Sequence, residues 1–282
     1  MIHIKIFLVS LIPHHFLSRI MLKLTRARRL PFRLSIMRWF VNKFKLDMSE
    51  AQQEAVESYP SMNALFTRAL KPESRPIDPD EKSLVSPVDG TVSQAGNIVK
   101  DTVYQAKKHD YSLTALLGGM SQRAELFHNG KFATLYLSPQ DYHRIHMPFS
   151  GTLTETIHVP GRLFSVAPDY VNNIPGLFAR NERLICLFDT AQGPMAVILV
   201  GAIFVSSMET VWGGTVVPPR AKRVSVVDYS HAPQKTTLSK GDELGRFNMG
   251  STVILLHSSQ QLEWLDLAPE SRVVFGKTIG TF

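Results

Sequence analysis

From residue 83 onward the chain is a series of short apolar runs separated by turn residues. They are FATLYL (132–137), GTLTETIHV (151–159), RLICLFDT (183–190), MAVILVGAIFV (195–205), GGTVV (213–217) and STVILL (251–256). Runs of this length, rich in Val, Ile, Thr and Phe and bounded by Gly, Pro, Asp or Ser, read as β-strands. SLVSPVDGTVSQAG adds further short strands about a Pro/Asp/Gly turn at 87–90, where Gly90 is expected to take a positive φ. The spacing predicts antiparallel sheets in a sandwich- or barrel-like core. Helix signals come first. Asp47 with Glu50 reads as a capping box opening a helix to about residue 58. Ser61 reads as the cap of a helix to Leu70, stopped by the Pro-rich KPESRPIDPD. One short capped helix interrupts the strands between Tyr111-Ser112 and Gly118. The class is therefore α+β, a β-rich core preceded by helices, and 282 residues are enough to bury one large core. The single cysteine, Cys186, excludes an intramolecular disulfide and reads as a small core residue.

Charge divides the chain at residue 46. Before it lie ten Lys and Arg and no acid, which leaves 21 basic against 24 acidic residues in the remainder. Within that segment Phe16, Leu17, Ile20, Met21 and Leu24 fall on one face of a helix, and Arg19, Lys23 and Arg26 on another. After Pro31, Leu34, Met37, Phe40, Val41 and Phe44 repeat the pattern among Arg33, Arg38, Lys43 and Lys45. Residues 1–46 thus read as basic amphipathic helices that lie in the interface of an anionic bilayer, with 47–282 as a separate domain. The alternative is a helix pair packed on its own core with a solvated basic face. The run IFLVSLI (6–12) is far short of the roughly 20 residues of a membrane span. No cleavage site of a signal peptide follows it, and no nucleic-acid-binding motif accompanies the basic residues.

Chemistry has three candidate places. Asp89 in SPVDG reads on its own as a turn residue. In LSPQDYHRIHMP, Ser138 and Pro139 predict a helical turn after the strand, with His143 and His146 three apart on one face. Such a pair suits proton transfer near neutral pH. Zinc would call for a cysteine pair or a carboxylate triad beside it, so no metal is expected. The third place is the strand entrance FNMGST. A serine after glycine can attack the preceding carbonyl in an N→O acyl shift, and Gly250 offers no side chain in the way. Attack by Ser251 needs a base oriented by an acid, for which His146 or His143 and Asp89 are the candidates. On its own, Gly250-Ser251 is an ordinary bend.

Many blocks occur in the order found in one family. They are LFTRALKPESRPID (65–78), SPVDG (86–90), QAKKHDYSLTALLG (105–118) and YLSPQDYHRIHMP (136–148). VPGRLFSV (159–166), LFARNER (177–183), VGAIFVSSMETVW (200–212) and KGDELGRFNMGSTVILL (240–256) follow. From residue 13 to its end the chain resembles the bacterial phosphatidylserine decarboxylase proenzymes, which depend on a pyruvoyl group. One position departs from the family's usual Leu-Gly-Ser-Thr: here Met249 precedes Gly250, a swap of similar volume.

The resemblance implies that Asp89, His146 and Ser251 form the constellation for self-cleavage between Gly250 and Ser251. Cleavage would leave a β chain 1–250 and an α chain 251–282 that stay associated, with Ser251 converted to the covalent pyruvoyl cofactor. That group would form a Schiff base with phosphatidylserine, release carbon dioxide and yield phosphatidylethanolamine, with His143 as the candidate proton donor and His146 second. The implied partners are phosphatidylserine and an anionic membrane surface, with a homodimer allowed for and no nucleic acid. The implied location is peripheral, on the cytoplasmic face of the cell membrane. Three other readings stay open on the residues alone: a non-catalytic membrane-bound β domain, a hydrolase with Ser251 as a lasting nucleophile, and a metallohydrolase using His143, His146 and Asp89.

Overall fold

Two helices come first, α1 (His14–Arg26) and α2 (Arg33–Phe44), and a five-residue helix, Met62–Phe66, follows them. The strands of the first part are β1 (Ser83–Val85), β2 (Gly90–Asn97), β3 (Thr102–Ala106), β4 (His109–Ser112), β5 (Lys131–Leu137), β6 (Arg144–His146), β7 (Gly151–Val159), β8 (Arg183–Thr190) and β9 (Met195–Val200). Those of the second are β10 (Met208–Thr210), β11 (Gly214–Val217), β12 (Ser225–Asp228), β13 (Thr237–Leu238), β14 (Glu243–Phe247), β15 (Ser251–His257), β16 (Glu263–Trp264), β17 (Arg272–Val273) and β18 (Thr278–Thr281). This computed structural model describes residues 13–106, 109–203, 207–217, 222–248 and 251–282, without the side chains of Val217 and Ser251.

The main sheet runs β12-β7-β8-β9-β15-β5-β2-β17, with β13 also paired to β7. Its ladders are antiparallel throughout. Successive side chains on a strand point to opposite faces, so the unbroken burial of Leu184–Phe188, Met195–Val200 and Thr252–His257 means that both faces of the sheet are covered here. That burial explains why these runs are apolar at every step instead of alternating. β15 lies in the middle, flanked by β9 and β5, with Ser251 opposite Leu137 and Thr252 opposite Val200. Smaller sheets, β11-β10-β14-β6 and β1-β18-β16, carry the segments that surround the site. The α+β class expected from the sequence is the observed one.

Both N-terminal helices form, but α1 is mounted with its small polar face inward. His14, Ser18 and Thr25 are buried, whereas Phe16, Ile20 and Leu24 are exposed, Phe16 at 56%. The inner face is fixed by contacts that need no apolar stripe. His15 Nε2 bonds the Gly161 carbonyl at 2.8 Å, His14 meets the Phe164 ring edge-on, and Arg26 pairs with Glu209. On α2, Met37 and Phe40 join small apolar clusters with Tyr59, Leu65 and with Leu46, Phe66, while Ile36 and Trp39 stay outside. Among the described residues no helix is long and apolar enough to cross a membrane.

Three local expectations are corrected. The Asp47 carboxylate caps only Ser49, through its amide at 2.9 Å and its hydroxyl at 2.6 Å, and Glu50 turns away to Arg75. Only a 3-10 turn at Val56–Ser58 remains of the helix expected there. Ser61 does cap a helix, accepting from the Ala64 amide at 3.2 Å, but the helix ends at Phe66, where the Thr67 hydroxyl takes the Asn63 carbonyl. Gly90 does not take a positive φ. Its missing side chain instead permits close approach, since a Cβ there would lie 2.6 Å from the Tyr136 carbonyl oxygen. Gly90→Ala is therefore expected to lower stability by about 1–3 kcal/mol, the cost of overpacking against backbone, read as a lower urea midpoint. An unchanged midpoint would show that the strand pair has room.

Candidate active site

The connection between β14 and β15 is held at both ends. The Phe247 amide donates to the His143 carbonyl at 3.1 Å, and Ser251 pairs with Leu137 at the end of β5. The turn 138–143, which joins β5 to β6, thus runs between the partners of Ser251 and Phe247. Asn248, at the start of the link, is itself fixed: its side-chain amide donates to Ser207 Oγ at 2.6 Å and to Glu209 at 2.8 Å. Met249 and Gly250 lie outside the described residues, as does the side chain of Ser251. The backbone nevertheless puts Ser251 at the first position of a central strand.

The turn is not helical, contrary to expectation. Asp141 Oδ2 accepts from the Ser138 amide at 2.7 Å and its hydroxyl at 2.8 Å, and the Asp141 amide returns to the Ser138 carbonyl. This local bonding competes with a helix and delivers residues 144–146 directly into β6. His143 and His146 then do not share a helical face. His143 packs against Phe66 at 4.0 Å, and His146 stacks on Phe275 at 3.8 Å.

Asp89 is buried in the bend after β1, a bend braced by Ser86 Oγ on the Val88 carbonyl. Its carboxylate accepts from Arg75 Nη2 at 2.6 Å and Nε at 3.1 Å, and from the Phe275 amide at 2.9 Å. Arg75 reaches Glu50 as well, through two 2.8 Å bonds. These carboxylates hold the Arg75 guanidinium above its ordinary range, Glu50 foremost, against the opposing effect of burial. A buried carboxylate is tolerable only when paired in this way.

His146 sits next to this bend, its amide bonded to the Pro87 carbonyl at 2.9 Å. No hydrogen bond joins its ring to Asp89. Nδ1 lies 2.8 Å from the Gly241 carbonyl, which can only accept, so Nδ1 carries the proton. Nε2 then holds a lone pair and accepts from the Tyr142 hydroxyl at 3.0 Å. Desolvation pushes His146 down to about 4 and pushes the Tyr142 hydroxyl well above its usual range, so both are neutral at pH 7. His143 is likewise pushed down to about 4 by burial; its Nδ1 donates to the Asp141 carbonyl at 2.8 Å, and its buried Nε2 has no partner among the described residues. The structure thus brings Asp89 and His146 to the two sides of Phe275, whose amide holds one and whose ring holds the other. Among the described residues no group of three or more His, Cys, Asp or Glu gathers to hold a metal ion.

The family model for phosphatidylserine decarboxylase matches residues 62–281, and a second model, described as PSD, matches residues 4–45. The chain belongs to the phosphatidylserine decarboxylase family. Relatives bearing the name phosphatidylserine decarboxylase proenzyme agree along nearly the whole length. The one from Alkalilimnicola ehrlichii is 52% identical, covering 92% of this chain and 89% of the relative. The Shewanella loihica protein is 52% identical over 92% and 91%, and the Pseudomonas fluorescens protein 49% over 98% and 97%.

Within this member of the phosphatidylserine decarboxylase family, sequence reasoning singled out Asp89, His143, His146 and Ser251 but missed Arg75, Tyr142, Gly241 and Phe275. Arg75 and Tyr142 lie inside the blocks that carry the resemblance, so their positions were marked without a role. Gly241 lies in another of these blocks, 240–256, likewise without a role, and nothing local marks Phe275. Their parts depend on how β17 and β14 are placed against β2 and β6.

The buried histidines set a pH dependence. His143, His146 and His257 are all pushed down to about 4 by desolvation. Above pH 6.5 neither folded nor unfolded chain binds these protons, so the shifts cost nothing. Between 6.5 and 4 only the unfolded chain binds them, and each histidine removes up to ~3 kcal/mol of stability. The urea midpoint is expected to fall steeply across that window, and a midpoint constant from pH 6.5 to 4 would contradict the buried neutral imidazoles.

Proposed function

We propose that this chain is a phosphatidylserine decarboxylase made as a precursor that cuts itself between Gly250 and Ser251. The observation that carries the reading is the pinned link: Phe247 is bonded to His143 and Ser251 is paired with Leu137, on either side of the proposed scissile bond. The Ser251 hydroxyl attacks the Gly250 carbonyl as its proton passes to a base, and the acyl group moves from nitrogen to oxygen. Elimination frees the Gly250 carboxylate and leaves dehydroalanine at 251. Water then adds and ammonia leaves, giving the pyruvoyl group. His146 is the base in this reading. Gly241 keeps its proton on Nδ1, which leaves Nε2 basic, and Tyr142 must release that nitrogen or pass the proton on. Asp89 acts at one remove, through the Phe275 segment that it anchors.

The same site suits a pyruvoyl group, because His143 offers it a buried Nε2 that has no partner among the described residues. When formed, the group supplies an electron sink for the carbon that loses carbon dioxide. His143 takes a proton from the substrate ammonium and returns it to that carbon, so no net proton is consumed by the histidine. The Phe66 ring and the Asp141 carbonyl fix its plane and tautomer.

The substrate is a lipid, and the outward apolar residues of α1 and α2 meet the bilayer in this reading. Phe16, Ile20 and Leu24 on α1, and Phe32, Ile36 and Trp39 on and before α2, are exposed among the basic residues of an acid-free segment. Residues 1–46 thereby form the membrane-associating part, on the anionic cytoplasmic face, and 47–282 the catalytic part.

Denaturing mass spectrometry of the purified protein is expected to show two chains, the smaller starting at 251 with a ketone in place of an amine. Ser251→Ala is expected to give one intact chain with no decarboxylase activity. A wild-type protein that turns over phosphatidylserine as one uncut chain would refute the mechanism. Phe32→Glu with Trp39→Glu is expected to leave cleavage intact while reducing co-sedimentation with anionic liposomes several-fold. Equal sedimentation would remove these helices from the membrane contact.

A further inference from the structure

Beside Asp89 lies a cleft of about 260 Å³ between the end of α2, the segment after the Met62–Phe66 helix, and the 138–143 turn. Its carboxylates are already engaged. Glu50 and Asp89 share Arg75, Asp141 pairs with Arg272 at 2.5 Å, and Asp47 accepts from the Ser49 amide and hydroxyl. Two of its cations are not. Arg68 is only 5% exposed, has no ion pair among the described residues, and makes one long contact, Nη2 to the Gln140 carbonyl at 3.4 Å. Among the described residues its Nε and Nη1 are buried without a hydrogen-bond partner. Lys45, which ends α2, has no ion pair among the described residues either. Burying a guanidinium with unfilled donors is unfavourable, and burial pushes the Arg68 pKa down. A fold that keeps such a group beside an open cleft has a use for an anion there.

We propose that Arg68 and Lys45 form the seat for the phosphodiester of the substrate headgroup, an inference that rests on the decarboxylase reading above. The geometry relates the seat to both ends of the lipid. Arg68 reaches the Gln140 carbonyl in the same turn whose Asp141 carbonyl holds His143, so it borders the reacting end. Lys45 terminates the helix that exposes Ile36 and Trp39, so it borders the bilayer end. The fork of an arginine matches the oxygens of a phosphate, which enters by replacing the weak Gln140 contact. The substrate carboxylate is the wrong anion for this place. A cation paired to it would stabilise the ground state more than a transition state in which its charge is leaving.

The test uses the full-length Ser251→Ala precursor, in which binding does not depend on cleavage, titrated calorimetrically with glycerophosphoserine, inorganic phosphate and free serine. Glycerophosphoserine is expected to bind, with affinity reduced at least tenfold by Arg68→Gln and about threefold by Lys45→Gln, and free serine not to bind measurably. The exposed Lys45→Gln decides the matter if Arg68→Gln does not fold. No binding by the precursor, or unchanged affinity in the folded variants, overturns the proposal. Inorganic phosphate binding as tightly as glycerophosphoserine, with the same loss in the variants, overturns the lipid assignment. Failure of the decarboxylase reading would appear separately, as an uncut wild-type chain, and would leave this titration readable.

Discussion

Arg75 lies between two carboxylates, and the stretches of chain that make the site meet there. Through Glu50 it holds the segment that leads out of α2; through Asp89 it holds the bend that opens the main sheet. Asp89 in turn takes the Phe275 amide, and the Phe275 ring forms one wall of the His146 pocket. Because Asp89 is buried, withdrawing the guanidinium would strand a charge, which is far costlier than never having placed one. The ion pair thus acts less as a source of net stability than as a device that allows one arrangement of these segments.

The elements that could be read in advance are those whose signal is local. The strands at 151–159 and 183–190 fall at the expected residues, and Ser112 caps its helix through the Ala115 amide as its position suggested. What went unread is where a side chain had a distant partner. Glu50 had a capping role open to it within four residues and was drawn to Arg75 instead. Ser138 carries the cap signal in the sequence, yet the Asp141 carboxylate organises the turn by accepting from Ser138 twice. Asp89 and His146 were recognisable as candidates, but the atoms that orient the imidazole, the Gly241 carbonyl and the Tyr142 hydroxyl, come from strand register, which sequence spacing does not encode.

The N-terminal helices show why amphipathicity alone does not say which way a helix faces. In α1 the large apolar residues are outside and serine, threonine and histidine are inside, the reverse of a helix that stabilises its own domain. The polar face works as a docking face because its contacts are specific: a carbonyl at Gly161, a ring edge at Phe164, a carboxylate at Glu209. Burial of the outer face is left to the bilayer in the reading given above.

β15 is a central strand, and β16, β17 and β18 follow it into two sheets. If the chain is severed just before β15, the severed piece still threads the middle of the protein, held by its pairing with β5 and β9. The unfolded state changes completely. Before the cut, an unfolded molecule refolds by a route internal to one chain. Afterwards, refolding is a meeting of two chains, one of them a short apolar peptide prone to other associations. Maturation would then exchange a reversible equilibrium for persistence, with the working enzyme surviving by the height of its unfolding barrier rather than by its capacity to fold again.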